Sequence, residues 1–153
     1  MTDERTDKEA VEAVREIVRR AGHELRNALS GITVNLEVVG SRLGRDIPAK
    51  EVASFADRAR LQASAATVLA QGILSLTTSV LAAVGEGTLK SFPYKASDGT
   101  VQTRTELLIH GPQAATFFTD IERLAKAVDV SVEQRGSRVI LKVLPEGNSH
   151  SKD

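Results

Sequence analysis

Two long heptad patterns of apolar residues occupy the first half of the chain, and they constrain the fold more than any other feature of the sequence. Within each pattern the spacing alternates between three and four residues, with some longer steps, which places the side chains on one face of an α-helix. The first seam consists of Val11, Val14, Val18, Ala21, Leu25, Ala28, Ile32 and Val39. The second consists of Val52, Phe55, Ala59, Ala66, Leu69, Ile73, Leu76, Val80 and Ala83. The patterns predict two long helices.

A turn signal, "GRDIP", separates the two patterns and predicts an antiparallel hairpin. Asp46 is expected to cap the second helix, and Pro48 to stand in its first turn. Each seam carries one polar residue, Asn35 in the first and Gln62 in the second. The "GEG" at Gly85–Gly87 is expected to end the second helix.

The predicted hairpin is too long to bury its apolar surface alone. Each helix would span roughly 35 residues, or about 50 Å at 1.5 Å rise per residue, and a lone pair covers one stripe of each helix. The later turns of the second helix are apolar nearly all round. Two hairpins packed as a four-helix bundle would cover these surfaces. We therefore predict a homodimer, because an intramolecular bundle lacks two further helices.

After Gly87 the pattern changes to short alternating runs with turn signals between them. "TLKSFPYKA" and "VQTRTELLIHG" flank Ser97-Asp98-Gly99, and "VSVEQ" and "RVILKVL" flank Arg135-Gly136-Ser137, so two β-hairpins are expected. A helical pattern lies between them. The predicted fold class is α+β: a helical hairpin domain at 1–86, a small β-β-α-β-β sandwich at 87–145, and a disordered polar tail at 146–153.

Composition excludes several function classes. Twenty basic and twenty acidic residues cancel, so there is no whole-chain argument for binding nucleic acid or an anionic membrane. The chain has no cysteine, which excludes disulfides and cysteine zinc sites. The start, "MTDERTDKEA", lacks the apolar core of a signal peptide. The apolar stretch Ala63 to Val84 is interrupted by serine, threonine and glutamine, so it predicts a buried helix in a soluble cytoplasmic protein.

The segment "GHELRNALSGI", Gly22 to Ile32, carries a histidine on the first helix. The heptad phase places His23 on the outside, with Asn27 one turn further along the same face. An exposed imidazole is largely neutral near pH 7 and can act as a nucleophile toward a phosphoryl group. Glu24 could take its proton, and Asn27 could orient the phosphoryl group or a water molecule. Arg19 and Arg20, one turn earlier, are close enough to hold an anion.

The residues of this segment are also common on ordinary solvated helix faces, and taken alone this composition more often marks such a face. The other two histidines are weaker candidates for a functional site. His110 stands before Gly-Pro and is expected to be structural or merely exposed. His150 lies in the tail without a partner at metal-ligand spacing. No metal or cofactor site is predicted.

"HELRNALSGI" followed by "NLEVV" closely resembles the H-box of sensor histidine kinases. The resemblance rests on seven positions and on the surrounding hairpin, which is similar to the dimerisation and phosphotransfer domain of that family. The matching residues are His23, Glu24, Leu25, Arg26, Asn27, Leu29 and Ile32. Ala28 departs from the family, which usually has proline there, so this helix is expected to be straighter.

The resemblance implies roles for individual residues. His23 would be the phosphoacceptor, Glu24 its acid/base partner, and Asn27 the amide linked to dephosphorylation of a partner regulator. A receiver domain of a response regulator would dock beside the histidine and contribute the aspartate and Mg²⁺, so no cofactor is expected on this chain. Helix geometry places four possible receiver contacts near the site, namely Arg19, Arg20, Arg26 and Ser30.

The second half lacks the marks of the ATP-binding domain that a histidine kinase needs. The predicted helix "QAATFFTDIERLAKAV" carries no asparagine, "SDGTVQ" holds a single Asp-Gly, and "GEGT" does not follow a strand. The segment resembles a degenerate remnant of that domain. This organisation is similar to dimeric histidine phosphotransferases of bacterial two-component phosphorelays, which relay phosphoryl groups between receivers without ATP.

Three hypotheses follow. The first is a phosphorelay protein acting through His23. The second is a non-catalytic dimeric pseudokinase or adaptor that binds and regulates a response regulator. The third is a kinase fragment without its nucleotide domain, against which the C-terminal strand-and-helix pattern and its polar tail argue.

Overall fold

A computed structural model describes residues 2–45 and 47–145, with side chains from residue 8 onward. The predicted α+β order is confirmed: two long helices precede a β-β-α-β-β segment. The elements are α1 (Thr2–Arg42), α2 (Ala49–Glu86), β1 (Lys90–Lys95), β2 (Val101–Leu108), α3 (Ala114–Ala127), β3 (Val130–Arg135) and β4 (Arg138–Val143). The predictions for Asp46 and for the tail at 146–153 lie outside the described residues.

The α2 helix keeps the seam that the sequence predicts. Every seam position is buried or half-buried, and Leu76 and Ala83 are fully buried. Pro48 stands one residue before the helix rather than in its first turn, and its carbonyl accepts from Glu51 N and Val52 N. Gly87 ends the helix with a left-handed φ of 71°, a conformation that costs glycine little.

The seam predicted for α1 is displaced in its N-terminal part. Ala10, Ile17 and Ala21 are the deeply buried apolar residues of this helix, whereas Val11 is 42% exposed. Ala10 and Ile17 belong to a core that also includes residues of β2, α3 and β4. The buried face is rotated because β1, β2, α3 and β4 pack against α1, which the heptad pattern alone does not reveal.

The four strands form one antiparallel sheet in the order β1-β2-β4-β3. Both predicted hairpins are confirmed. At the first, Lys95 pairs with Val101, and the Asp98 carboxylate accepts from the Thr100 backbone N and hydroxyl. Those two bonds lower the pKa of the Asp98 carboxyl. At the second, Arg135 pairs with Arg138 across a turn in which Gly136 has a φ of 63°.

The helix α3 packs closely on α2 at a glycine. A Cβ at Gly72 would lie 2.5 Å from Leu124 Cβ, so any side chain there would displace α3. One turn further, Ser75 Oγ donates to Asp120 Oδ2 at 2.7 Å. These contacts fix α3 against the helical hairpin.

A single hydrophobic core contains residues from both predicted domains, Leu76 of α2 and Leu107 of β2 among them. The predicted boundary between residues 86 and 87 coincides with the end of α2. Since the core is continuous across that boundary, the division into two domains stays a prediction.

Within the described chain, α2 is the one helix long and apolar enough, by length and composition, to cross a membrane. The core helix of a soluble protein passes the same test, so this is weak evidence for a span. A third of the most apolar stretch of α2 is buried inside the fold, which is consistent with a soluble protein.

Candidate functional site

His23 lies on the exposed surface of α1, as the heptad phase predicted. Asn27 is exposed one turn further on, while Leu25 and Ala28 are half-buried. Among the residues that the structure describes, none forms a hydrogen bond or ion pair with the imidazole. The imidazole is therefore at the surface and not engaged by the described part of the chain.

Glu24 does not interact with the His23 ring in this structure. Neighbouring positions of a helix do not face each other, and no hydrogen bond joins these two residues within the described ranges. Glu24 is half-buried and lines a groove next to the histidine. The acid/base role of Glu24 thus stays a prediction.

The groove has a volume of about 420 Å³ and lies between all three helices. The polar residues of its lining are Glu24 and Asn27 from α1 and Gln62 from α2. The rest of the lining is apolar: Ala28, Ala65, Val68, Leu69 and Ala127, the last residue of α3. We call this cavity the three-helix groove. It places two of the motif residues beside an apolar surface large enough for a partner's side chain.

Arg20 corrects one prediction from helix spacing. Its side chain is only 8% exposed, and Nη1 donates to Val128 O at 3.1 Å and Asp129 O at 3.3 Å. Its Nε donates to Glu16 Oε1 at 3.0 Å. The guanidinium therefore holds the C-terminal end of α3 and is not available to an anion beside His23. Its carbonyl partners lie more than a hundred residues away, where local sequence gives no signal.

The remaining predicted receiver contacts are at the surface. Arg26 and Ser30 are exposed. Arg19 is half-exposed and bonded to Glu16 through Nε and Nη2 at 2.9 and 2.8 Å. The Arg19 hydrogen bonds, together with that of Arg20, lower the pKa of Glu16 to about 2. Glu16 is thus a fixed carboxylate two turns before His23.

Two polar residues that interrupt the seams are paired with each other. Asn35 Nδ2 donates to Gln62 Oε1 at 2.8 Å and to Gly31 O at 2.9 Å. A Cβ at Gly31 would lie 2.2 Å from Gln62 Nε2, so the glycine makes room for this amide. The sequence marked both polar positions but did not indicate their pairing, nor that Gln62 and Ala127 line the groove.

His110 is remote from this site. Its Nε2 lies 2.9 Å from Glu86 Oε2, and both side chains are exposed. The contact joins the end of α2 to the connection between β2 and α3, which agrees with the predicted structural or merely exposed role. His150 lies outside the described residues.

An apolar surface covers the side of the hairpin opposite α3. Arg20 of α1 and Gly72 of α2 mark the side of each helix that faces α3. Leu29 lies nine residues after Arg20, and Leu81 lies nine residues after Gly72. Nine residues are about two and a half turns, so both leucines lie on the side of their helix opposite α3. This apolar surface contains six large hydrophobic residues that are each 51–68% exposed: Leu29, Leu36, Leu43, Leu74, Leu81 and Val84. On α1 the half-buried Leu25, Ile32 and Val39 complete a heptad seam with them. We call this surface the bundle face.

Comparison of the chain with models of protein families, with curated proteins and with solved structures gave no match. Function is therefore inferred from the residues and their geometry.

Proposed function

We propose that the protein relays phosphoryl groups between the aspartates of receiver domains through His23, in a two-component phosphorelay and without ATP. The observation that carries this proposal is the exposed imidazole of His23, unengaged by the described residues, in a sequence that resembles a histidine-kinase H-box. The three-helix groove beside it offers a place for a partner to dock.

The transfer is a substitution at phosphorus. A His23 ring nitrogen attacks the aspartyl phosphate of a receiver, a nitrogen–phosphorus bond forms, and the bond from phosphorus to the aspartate oxygen breaks. The aspartate leaves as a carboxylate, and the proton on the other ring nitrogen passes to a base. The reverse reaction delivers the group to a second receiver. Mg²⁺ on the receiver offsets the phosphoryl charge, so this chain needs no metal of its own.

Glu24 is the base in this proposal, as the resemblance implies. Its side chain lines the three-helix groove in the free protein. To take the proton, the Glu24 side chain has to leave the groove and turn toward the His23 ring, and in this proposal occupation of the groove by a partner drives that change. Proton transfer would then be coupled to docking.

We further propose that the bundle face is covered by a second copy, which forms the predicted four-helix bundle. The Asn35–Gln62 bond shows which residues of α1 and α2 lie at the same height along the hairpin. In this register, Leu29 lies at the height of Thr67 and Ala70, and Gly22 lies at the height of Leu74. Large residues of one helix are thus level with small residues of the other. A two-fold arrangement that places the same ends of the two hairpins together would combine large and small residues in these two layers, which favours close packing.

One observation favours the alternative, a non-catalytic dimeric adaptor that binds and regulates a response regulator. Glu24 lies apart from the His23 ring, so the free protein does not hold an acid/base pair in place. An adaptor would use the same groove and the same bundle face. It would bind a receiver without accepting its phosphoryl group.

Phosphoryl transfer separates the two functions. A panel of purified receiver domains, phosphorylated with acetyl phosphate, is incubated with the protein, and acid-labile, base-stable phosphate on the protein is measured. The relay predicts label on the wild type and on His110→Ala but none on His23→Ala. Equal labelling of wild type and His23→Ala, or none on either, would overturn the relay. Calorimetry with Mg-ATP tests ATP independence, and a micromolar affinity would contradict it.

A further inference from the structure

The last turn of α3 borders the three-helix groove, with Ala127 in its lining. Ala127 is exposed and lines the groove with Glu24 and Asn27. Arg123 stands one helical turn before Ala127 on the same face of α3 and is also exposed. The C-terminal half of the chain thus reaches the surface that holds the motif residues.

This part of α3 is held by three independent contacts. Arg20 Nη1 donates to the carbonyls of Val128 and Asp129 just after α3. Leu124 packs against Gly72 with no space for a Cβ, and Asp120 accepts from Ser75. Ala127 and Arg123 are therefore fixed relative to α1 before any partner arrives.

A second copy on the bundle face would not cover the groove. Arg20 and Gly72 contact α3 on one side of the hairpin, whereas Leu29 and Leu81 lie on the opposite side. The groove stays open to a different partner.

The α3 side of the groove carries one exposed cation, Arg123, one turn before Ala127. Arg26, Arg123 and Lys126 are exposed, and within the described chain none of them has an ion-pair partner. The Glu16 carboxylate is compensated by Arg19 and Arg20. Glu122 and Lys126 are one turn apart on another side of α3 from Ala127. Glu24 is the carboxylate inside the groove. This arrangement is complementary to an acidic protein surface that carries an apolar side chain.

We infer that Arg123 and Ala127 form a recognition surface for the acidic, phosphorylated receiver that exchanges its phosphoryl group with His23. The inference rests on the proposed function. It gives the C-terminal half a role in partner choice: Arg123 pairs with acidic groups around the aspartyl phosphate, and the small Ala127 leaves room for an apolar side chain.

The test compares two reactions of His23. Phosphoramidate, a small donor, needs no docking, whereas a phosphorylated receiver from the panel does. Arg123→Glu and Ala127→Gln are compared with Arg135→Glu, which makes the same charge change on β3. We expect Arg123→Glu to slow transfer from the receiver at least tenfold and Ala127→Gln several-fold. Labelling by phosphoramidate and the unfolding midpoint should match the wild type, and Arg135→Glu should transfer normally.

Each outcome is decisive. Wild-type transfer rates in both α3 variants would overturn the inference while leaving the relay standing. If Arg135→Glu slowed transfer from the receiver as much as Arg123→Glu, the effect would come from overall charge, and the inference would also be overturned. Equal loss of phosphoramidate labelling in the α3 variants would show damage to the fold, and also contradict it. No transfer to the wild type would overturn the relay and this inference with it.

Discussion

Asn35 Nδ2 donates to Gln62 Oε1 across the interface of α1 and α2, at 2.8 Å, and each residue is the one polar side chain on its seam. Such a pair sets the register of two helices at some cost in stability, because a shifted register leaves both amides unpaired. It also fixes Gln62 at the groove beside the motif that contains His23.

Asn35→Ala should destabilise the protein by about 1–3 kcal/mol, since it leaves the Gln62 carbonyl without its partner in a half-buried interface. The double variant Asn35→Leu with Gln62→Leu should recover most of that loss, because no amide then stays unsatisfied. Urea unfolding of Asn35→Leu, Gln62→Leu and the double variant closes the cycle and measures the coupling. Strictly additive losses would show that the bond does not couple the helices.

Gly72→Ala should cost about 1–3 kcal/mol, because the new Cβ would lie 2.5 Å from Leu124 Cβ and would displace α3. Gly85→Ala on the same helix is the matched control, since its Cβ would meet nothing within 4 Å. That control should be neutral or stabilising by up to about 1 kcal/mol. Thermal unfolding distinguishes them, and equal midpoints would contradict the close packing of α3 on α2.

Acid should weaken the contacts of Glu16 in a defined window. Arg19 and Arg20 lower the pKa of Glu16 from 4.5 to about 2, so the stabilisation is complete above pH 4.5 and is lost as the pH falls toward 2. The difference in free energy of unfolding between wild type and Glu16→Gln should therefore shrink from pH 4.5 to pH 2. A difference that stays constant over this range would contradict the assigned ion pairs.

Leu36→Lys should convert the protein from dimer to monomer. In the dimer, the substitution places two lysine charges in the interface formed by the bundle faces and removes two buried leucines. The loss of the leucines costs about 3 kcal/mol or more of dimerisation free energy, which raises the dimer Kd more than a hundredfold. Val101→Lys, at a position that is 75% exposed on β2, is the control and should stay dimeric. Light scattering measures both masses. A monomeric wild type, or a dimeric Leu36→Lys, would contradict the bundle.

Local periodicity predicted the elements of this fold well. The seam of α2 and both β-hairpins depend on spacing and on turn residues that act within a few positions, such as Asp98 and Gly136. The N-terminal seam of α1 was displaced because β1, β2, α3 and β4 pack against this helix, and those contacts are distant in sequence. One feature of long-range packing was in principle visible: glycine inside a helix, as at Gly72, often marks a close approach.

The candidate site was predictable to a different degree for each residue. The exposure of His23 and Asn27 follows from the heptad phase. Arg20 was misassigned because exposure was judged from helix position, while its partners Val128 and Asp129 belong to the far end of the chain. No local sequence signal indicated that Ala127 lines the groove, because its position depends on how α3 packs against α2.

Phosphoryl transfer to His23 is the central claim, and residue-resolved mass spectrometry after brief exposure to a phosphorylated receiver tests it most directly. The relay predicts phosphate on the peptide that contains His23, its disappearance at low pH, and its reappearance on a second, unphosphorylated receiver added afterwards. His23→Gln should carry none and should leave the second receiver unlabelled. Phosphate on another residue, or transfer that persists in His23→Gln, would contradict the account.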